Sequence, residues 1–325
     1  MFNPVHTHSA HPGSGPPAHE EAIPSDVKSA PALVMNAYGM SDTGLVRARN
    51  EDQFVIATLT GTLWVHQSTI PQARVQCGQT VGHLLIVADG MGGHAGGEQA
   101  SALAVGAVEE FALSALGWLF RLPEAPNTVS EDSGAYALPS DDGGLLEELK
   151  NALRRADATV TAQAAANPEV HGMGTTLTLA YSVGTQLYVA HAGDTRCYLF
   201  RDETLHQLTR DHTLVRELVD AGVIQPEEMG RNQYRHVVTN VVGGGKEGLQ
   251  AEVHRLDLAP GDVLVLTSDG LHDMIEDAEI SRILAHEPHP KLACETLIRA
   301  ALDAGGRDNV TAVVARYDPP GPRPA

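Results

Sequence analysis

Short apolar runs that end in an acidic residue constrain this chain more than any other feature. Ile86-Val87-Ala88 runs into Asp89-Gly90, Tyr188-Val189-Ala190 leads to Gly193-Asp194, and Val263-Leu264-Val265-Leu266 leads to Ser268-Asp269-Gly270. Asp308-Asn309 stands just before a last run, Asn309 to Arg316. A strand end is a rigid platform, and an adjacent glycine lets backbone or ligand approach closely. Any one of these aspartates is also an ordinary turn residue. The repeated placement is harder to attribute to turns alone. Carboxylates gathered at one mouth repel one another and are tolerated only when protonated or neutralised by a cation. Oxygen-only donors favour hard ions such as Mg²⁺ or Mn²⁺.

The runs come in groups. Order is expected from near Met35, then a strand over 53–62 and an extended hairpin to Gln79 with a turn at Pro71. A helix is expected from about Gly97 to Leu119, with Leu103, Ala107, Phe111 and Leu116 at helical spacing. Prolines and the Asp141-Asp142-Gly143-Gly144 run mark 121–144 as an irregular insert. A second helix follows over Leu145 to Ala166, its stripe being Leu146, Leu149, Leu153, Ala156, Val160 and Ala164. Strands are expected over 175–183, 186–192, 196–201, 250–257, 262–267 and 309–316. Helices are expected over 213–221, 277–286 and 290–304, the last closed by Gly305-Gly306. Strict strand–helix alternation is absent, so the pattern points to an α+β fold with antiparallel sheets and helices outside. Residues 1–32 read as a disordered tail whose His6, His8, His11 and His19 are solvated. Residues 33–318 read as one domain and 319–325 as a frayed tail.

Charge and cysteine usage narrow the partners. A formal net charge of -19 excludes a basic footprint for nucleic acid. Cys77, Cys197 and Cys294 are far apart and odd in number, which fits a reducing cytoplasm rather than a disulfide framework. No basic start followed by an apolar stretch is visible, so no signal peptide is expected. The most apolar window, Ala102 to Phe120, carries Glu109 and Glu110 at its middle and reads as a buried helix rather than a membrane span.

Gly90-x-Gly92-x-x-Ala95 has the outline of a dinucleotide fingerprint. Its strand ends in Asp89, which would set negative charge beside a pyrophosphate, and no second acid-ended strand follows at the required distance. No Gly-Lys-Ser/Thr of a P-loop is present.

Ser41-Asp42-x-Gly44-x-x-Arg47-x-x-Asn50-Glu51-Asp52 resembles the opening motif of the PP2C-type (PPM) phosphatases. Asp89-Gly90-Met91-Gly92-Gly93-His94-x-x-Gly97-Glu98 resembles the second motif in its bacterial form. Gly172-Met173-Gly174-Thr175-Thr176, Gly193-Asp194-Thr195-Arg196, Thr209-Arg210-Asp211-His212, Ser268-Asp269-Gly270-Leu271 and Asp308-Asn309-Val310-Thr311 continue the family order, from about residue 38 to 317. The resemblance implies a four-layer αββα sandwich, two antiparallel sheets flanked by helix pairs, with a binuclear Mn²⁺/Mg²⁺ centre between the sheets. It implies Asp89 bridging two ions, the Gly90 carbonyl and a water-mediated Glu51 on one, and Asp269 and Asp308 on the other. Asp194 matches the position of a third, weaker ion. Arg47 matches the phosphate clamp, and 212–246 matches a mobile flap in which His236 falls near the third ion. Asp52 is an outer-shell group or a cap.

The implied activity is hydrolysis of phosphoserine and phosphothreonine on proteins, opposing a Ser/Thr kinase, by a monomer with no membrane anchor. Two close cations lower the pKa of a bridging water. The hydroxide attacks phosphorus in line without a phosphoenzyme, while Arg47 grips two phosphoryl oxygens. Met91 stands where eukaryotic relatives carry a histidine proposed to protonate the leaving alkoxide. His94 or a water on a metal could take that part. Thr239-Asn240 stands where bacterial relatives often carry a basic residue. Thr175 and Thr176 read as β-formers, and Asp211-His212 as a turn and cap. The 121–144 insert and the 62–80 hairpin, long for the family, are surface loops or partner-binding segments. A phosphoprotein-binding module without catalysis and a small-molecule phosphohydrolase are the rival readings.

Overall fold

The computed structural model describes residues 33–64, 75–92, 96–119, 142–244 and 248–320. The first tail with its histidines, Pro71, His94 and positions 121–141 of the insert lie outside the described residues. In chain order the elements are β1 (Val34–Asp42), β2 (Asp52–Trp64), β3 (Val75–Met91), α1 (Gly96–Leu119), α2 (Asp142–Ala166), β4 (Gly174–Thr175), β5 (Leu177–Val183) and β6 (Gln186–Ala192). β7 (Arg196–Arg201), β8 (Thr204–Gln207), α3 (Leu214–Asp220), β9 (Glu252–Asp257), β10 (Val263–Thr267), α4 (Asp269–His272), α5 (Asp277–His286), α6 (Pro290–Asp303) and β11 (Val310–Asp318) complete the fold.

Two antiparallel sheets result. One has the order β1-β11-β10-β7-β8, the other β2-β3-β5-β6-β9 with β4 paired to the end of β3. Side chains alternate across each strand, and both faces of the central strands are buried, which is why their sequences are unbroken apolar runs. In β3, Leu84, Ile86 and Ala88 face α1 and α2, where they meet Ala104, Val108, Leu153 and Val160. Leu85 and Val87 face the second sheet and meet Leu264, Leu266 and Val313. In β10, Val263 and Val265 face outward onto Ile280, Ile283, Leu297 and Ile298 of α5 and α6. Three apolar seams therefore hold four layers, αββα, as the resemblance implies. Each fully buried aliphatic side chain contributes about 1.5–3 kcal/mol to that packing.

The run expected over 175–183 is two strands. Thr176 leaves the ladder between β4 and β5, because β4 pairs with the end of β3 at Gly90 and Met91. The buried face of α1 is Ala100, Ser101, Ala104, Val105 and Val108, with Leu103 and Ala107 only partly buried at its margin. Small residues at the centre let the helix lie close to β3. The β2–β3 hairpin keeps its ladder out to Trp64 opposite Val75, with a register shift between Thr60 and Thr62.

Candidate metal centre

Asp52 opens β2 directly opposite Asp89 near the end of β3. The Asp89 backbone is fastened by both threonines after Gly174. Its N–H donates to Thr176 Oγ1 at 3.0 Å, and its carbonyl accepts from Thr176 N at 2.9 Å and Thr175 Oγ1 at 2.8 Å. These threonines therefore clamp the acid as well as forming strand. A Cβ on Gly90 would overlap the Gly97 carbonyl oxygen, so only glycine lets the start of α1 lie against the strand end. The Glu51 carboxylate lies over Gly97 in the same crevice.

Across the inter-sheet gap, β10 ends at Thr267, Ser268 follows as the N-cap position and Asp269 opens α4. Ser268 does not cap that helix with its side chain. Its hydroxyl donates to Asp52 Oδ2 at 2.7 Å, and Thr311 Oγ1 donates to the same oxygen at 2.7 Å. Asn50 donates to Ser41, which lies 2.7 Å from Thr311 and completes the chain to Asp52. Asp52 is thus neither a cap nor a surface acid. It is buried and joins the two sheets. Asn309 pins the β1–β2 turn, accepting from Glu51 N at 2.8 Å and donating to the Thr43 and Arg49 carbonyls. That turn carries Arg47, whose Nη2 donates to Asp308 Oδ2 at 2.5 Å. Arg47 pairs with Asp308 rather than with Glu51 one helical turn away.

Burial and mutual repulsion dominate the electrostatics. Asp89 is held well above the carboxylate range, first by burial, then by Asp52, Asp269, Asp194 and Asp308. Asp269 is held up likewise, by burial, then Asp194 and Asp308. Burial raises Asp52 to about 6 against its two hydroxyl donors. Burial, then Asp211, raises Asp194 to about 7. Glu51 is raised by burial, with Arg47 opposing. Asp269 Oδ1 and Asp52 Oδ1 are buried without a hydrogen-bond partner. Oxygens left unpaired among like charges fit a hard cation or, without one, a retained proton.

The structure thus sets Asp52, Asp194, Asp269 and Asp308 in the field of Asp89, with Arg47 beside Asp308, Asp269 and Asp89 and Glu51 beside Arg47 and Asp308. His236 comes too: its Nδ1 lies 3.2 Å from Asp273 Oδ2, and donor atoms of His236, Asp269 and Asp273 lie within 4.8 Å of one another. Asp273 is absent from the sequence expectations. Its signal was the spacing of four from Asp269 at a strand-to-helix turn, which sets both on one face. Asp211 and His212 do not cap α3, whose N-cap is Thr213. Asp211 accepts both Arg196 Nε and Nη2, at 2.9 and 2.6 Å.

Two antiparallel sheets with buried carboxylates at their shared mouth and an arginine at the rim make a candidate hard-cation centre. The Protein phosphatase 2C family model matches residues 60–304. The chain is 35% identical over 284 residues to the serine/threonine protein phosphatase PstP of Mycobacterium tuberculosis, covering 87% of this chain and 45% of PstP. It is 36% identical over 230 residues to the protein phosphatase PhpP of Streptococcus pneumoniae, covering 70% of this chain and 83% of PhpP. The chain thus spans about half the length of PstP. The crystal structure of the PstP catalytic domain in complex with two manganese ions superposes with a TM-score of 0.64 at 34% identity, over 88% of this chain and 99% of that one. The chain belongs to the protein phosphatase 2C family.

Proposed function

We propose that this chain hydrolyses phosphoserine and phosphothreonine on proteins with the help of two divalent cations. The observation that carries this reading is the pair of buried acids, Asp89 and Asp269, with an Asp269 oxygen left unpartnered at a mouth where Arg47 stands. Asp89, the Gly90 carbonyl, Asp269 and Asp308 would hold the ions, Glu51 would act through water, and Asp52 would orient the outer shell. Asp194, with Asp269, would serve a weaker third ion. When bound, two close cations supply a water of lowered pKa and charge that offsets the phosphoryl oxygens. Arg47, half exposed at the rim, orients the phosphoryl group through its paired N–H donors. The Ser268 and Thr311 hydroxyls keep the Asp52 carboxylate aimed across the gap. His94 is a general-acid candidate. Residues 33–318 form the phosphatase domain in this reading, with 212–246 as its flap and a cytosolic monomer opposing a Ser/Thr kinase.

Phosphate release from p-nitrophenyl phosphate and from a phosphopeptide panel, with Mn²⁺ or Mg²⁺ and with EDTA, tests the proposal. We expect metal-dependent release, stronger on phosphopeptides than on small metabolic esters. Asp269→Ala is expected to lower it at least a hundredfold, about 2.7 kcal/mol of barrier. Turnover at the wild-type rate in that variant would remove the mechanism.

A further inference from the structure

We propose that His212 is a positioning residue that couples the 212–244 segment to the turn carrying Asp194, so that the two shift together. Every polar atom of His212 is engaged, on Gly193, on Thr239-Asn240 or on Glu252. Its backbone N–H donates to the Gly193 carbonyl at 2.7 Å, and its Nδ1 accepts from Gly193 N at 3.1 Å. Gly193 is thus held at both its N–H and its carbonyl, at a φ of 116° that L side chains avoid. Asp194 follows it and is buried.

The His212 carbonyl accepts from Thr239 N at 2.8 Å, and Nδ1 also accepts from Asn240 Nδ2 at 3.1 Å. Thr213 pairs with Val238 in an antiparallel bridge, and Leu214 N donates to the Val237 carbonyl. The segment therefore leaves and returns at this one imidazole. Asn240 is in turn locked to Gln250 by two hydrogen bonds, at 2.7 and 3.1 Å.

Two N–H groups aimed at Nδ1 require a bare lone pair there, so the ring proton sits on Nε2. Nε2–H donates to Glu252 Oε2 at 3.1 Å on β9. Glu252 also pairs with His254, and these histidine contacts hold its carboxyl down to about 2 against burial. The ring face stacks on buried His191, with centroids 4.8 Å apart. Packing alone would need only the ring. The junction needs an acceptor at the Nδ1 position. The far part of the segment reaches the acids through His236 and Asp273, so a shift of the segment is sensed at two places around Asp269.

The test exchanges acceptor geometry at one site and rests on the phosphatase reading only for its second readout. His212→Asn places a carbonyl oxygen near the Nδ1 position, whereas His212→Gln reaches only towards the Nε2 position. Amide hydrogen exchange on the metal-free full chain is the primary measurement. We expect His212→Gln to speed exchange about tenfold in both 230–240 and 193–195, and His212→Asn to restore both segments together. With p-nitrophenyl phosphate, His212→Gln is expected to raise the Mn²⁺ concentration for half-maximal release, and His212→Asn to reverse it. If His212→Gln does not fold, Asn240→Ala removes one donor only and is expected to loosen 193–195 as well as 237–240. Faster exchange confined to the segment, with 193–195 unmoved, would overturn the coupling, as would identical behaviour of the Asn and Gln variants. Absence of phosphate release in the wild type would instead count against the phosphatase reading and leave the exchange result standing.

Discussion

Asp194 and Asp52 titrate high because they are buried beside other acids, and this sets the pH response of the metal-free protein. The unfolded chain releases such protons near pH 3.9. The folded protein holds them up to about 7 at Asp194 and about 6 at Asp52. Folded carboxyls raised above the unfolded value bind the extra protons, so stability rises as pH falls through that window. Tm of the EDTA-treated protein is expected to increase by about 2–4 °C from pH 8 to 6.5 for each kcal/mol gained. Saturating Mn²⁺ is expected to flatten that slope, because cations replace the protons. Buried His191, lowered to about 4 by burial, and buried His272, held well below the imidazole range by burial, oppose the trend from about pH 7 downward, because the unfolded imidazole, with a pKa of about 6.5, protonates first. A Tm that falls between pH 8 and 6.5 without metal would contradict the acid cluster. At this scale the sequence was informative about residue type and placement at strand ends. It was silent on partners: Arg47 on Asp308, Ser268 and Thr311 on Asp52, and Asp273 beside Asp269 are contacts across long stretches of chain.

Among the elements, the junction of β3 with α1 is tightly packed beside the acids. Gly90→Ala would drive a methyl into the Gly97 carbonyl, and backbone oxygen cannot swing aside as a side chain can. We expect that variant to lose about 1–3 kcal/mol in urea titration and to need more Mn²⁺ for half-maximal activity. Gly106→Ala, where an added methyl meets nothing, is expected to be neutral or slightly stabilising in the same helix. β6, β7 and α5 are legible to the residue, because their apolar period is clean and turn residues bound them. β8 is not. It is a four-residue edge strand with mostly exposed side chains, formed only because β7 offers it a ladder. β1 is half-exposed and carries Gly39, so its strand character comes from pairing with β11. The split of β4 from β5 follows from Thr175 and Thr176 holding Asp89, a contact that strand propensity does not reveal.

For the whole molecule, stability rests on the three apolar seams and function on the gap between the sheets. Leu264 is fully buried in the inter-sheet seam, and Leu264→Ala is expected to cost about 2–5 kcal/mol in urea titration. The net charge of -19 acts on substrate encounter. Two divalent cations offset only a small part of it, so an anionic phosphopeptide meets net repulsion at long range. We therefore expect kcat/KM on phosphopeptides to rise between about 20 and 150 mM salt, where the Debye length shortens from about 20 to 8 Å. A fall over that range would mean that the local field of the cations and Arg47 governs encounter. The sequence by itself pointed to antiparallel sheets with helices outside, through the lack of strict strand–helix alternation, and its family motifs implied the four-layer order. It also determined the acidic strand ends and the family motifs that order them. Tertiary structure alone decided which acids share a field, which oxygens stay unpartnered, and that His212 closes the 212–244 segment onto Gly193. The physical reason is range: periodicity and turn chemistry act over a few residues, whereas electrostatic fields and hydrogen bonds join residues that only the folded sheets bring close.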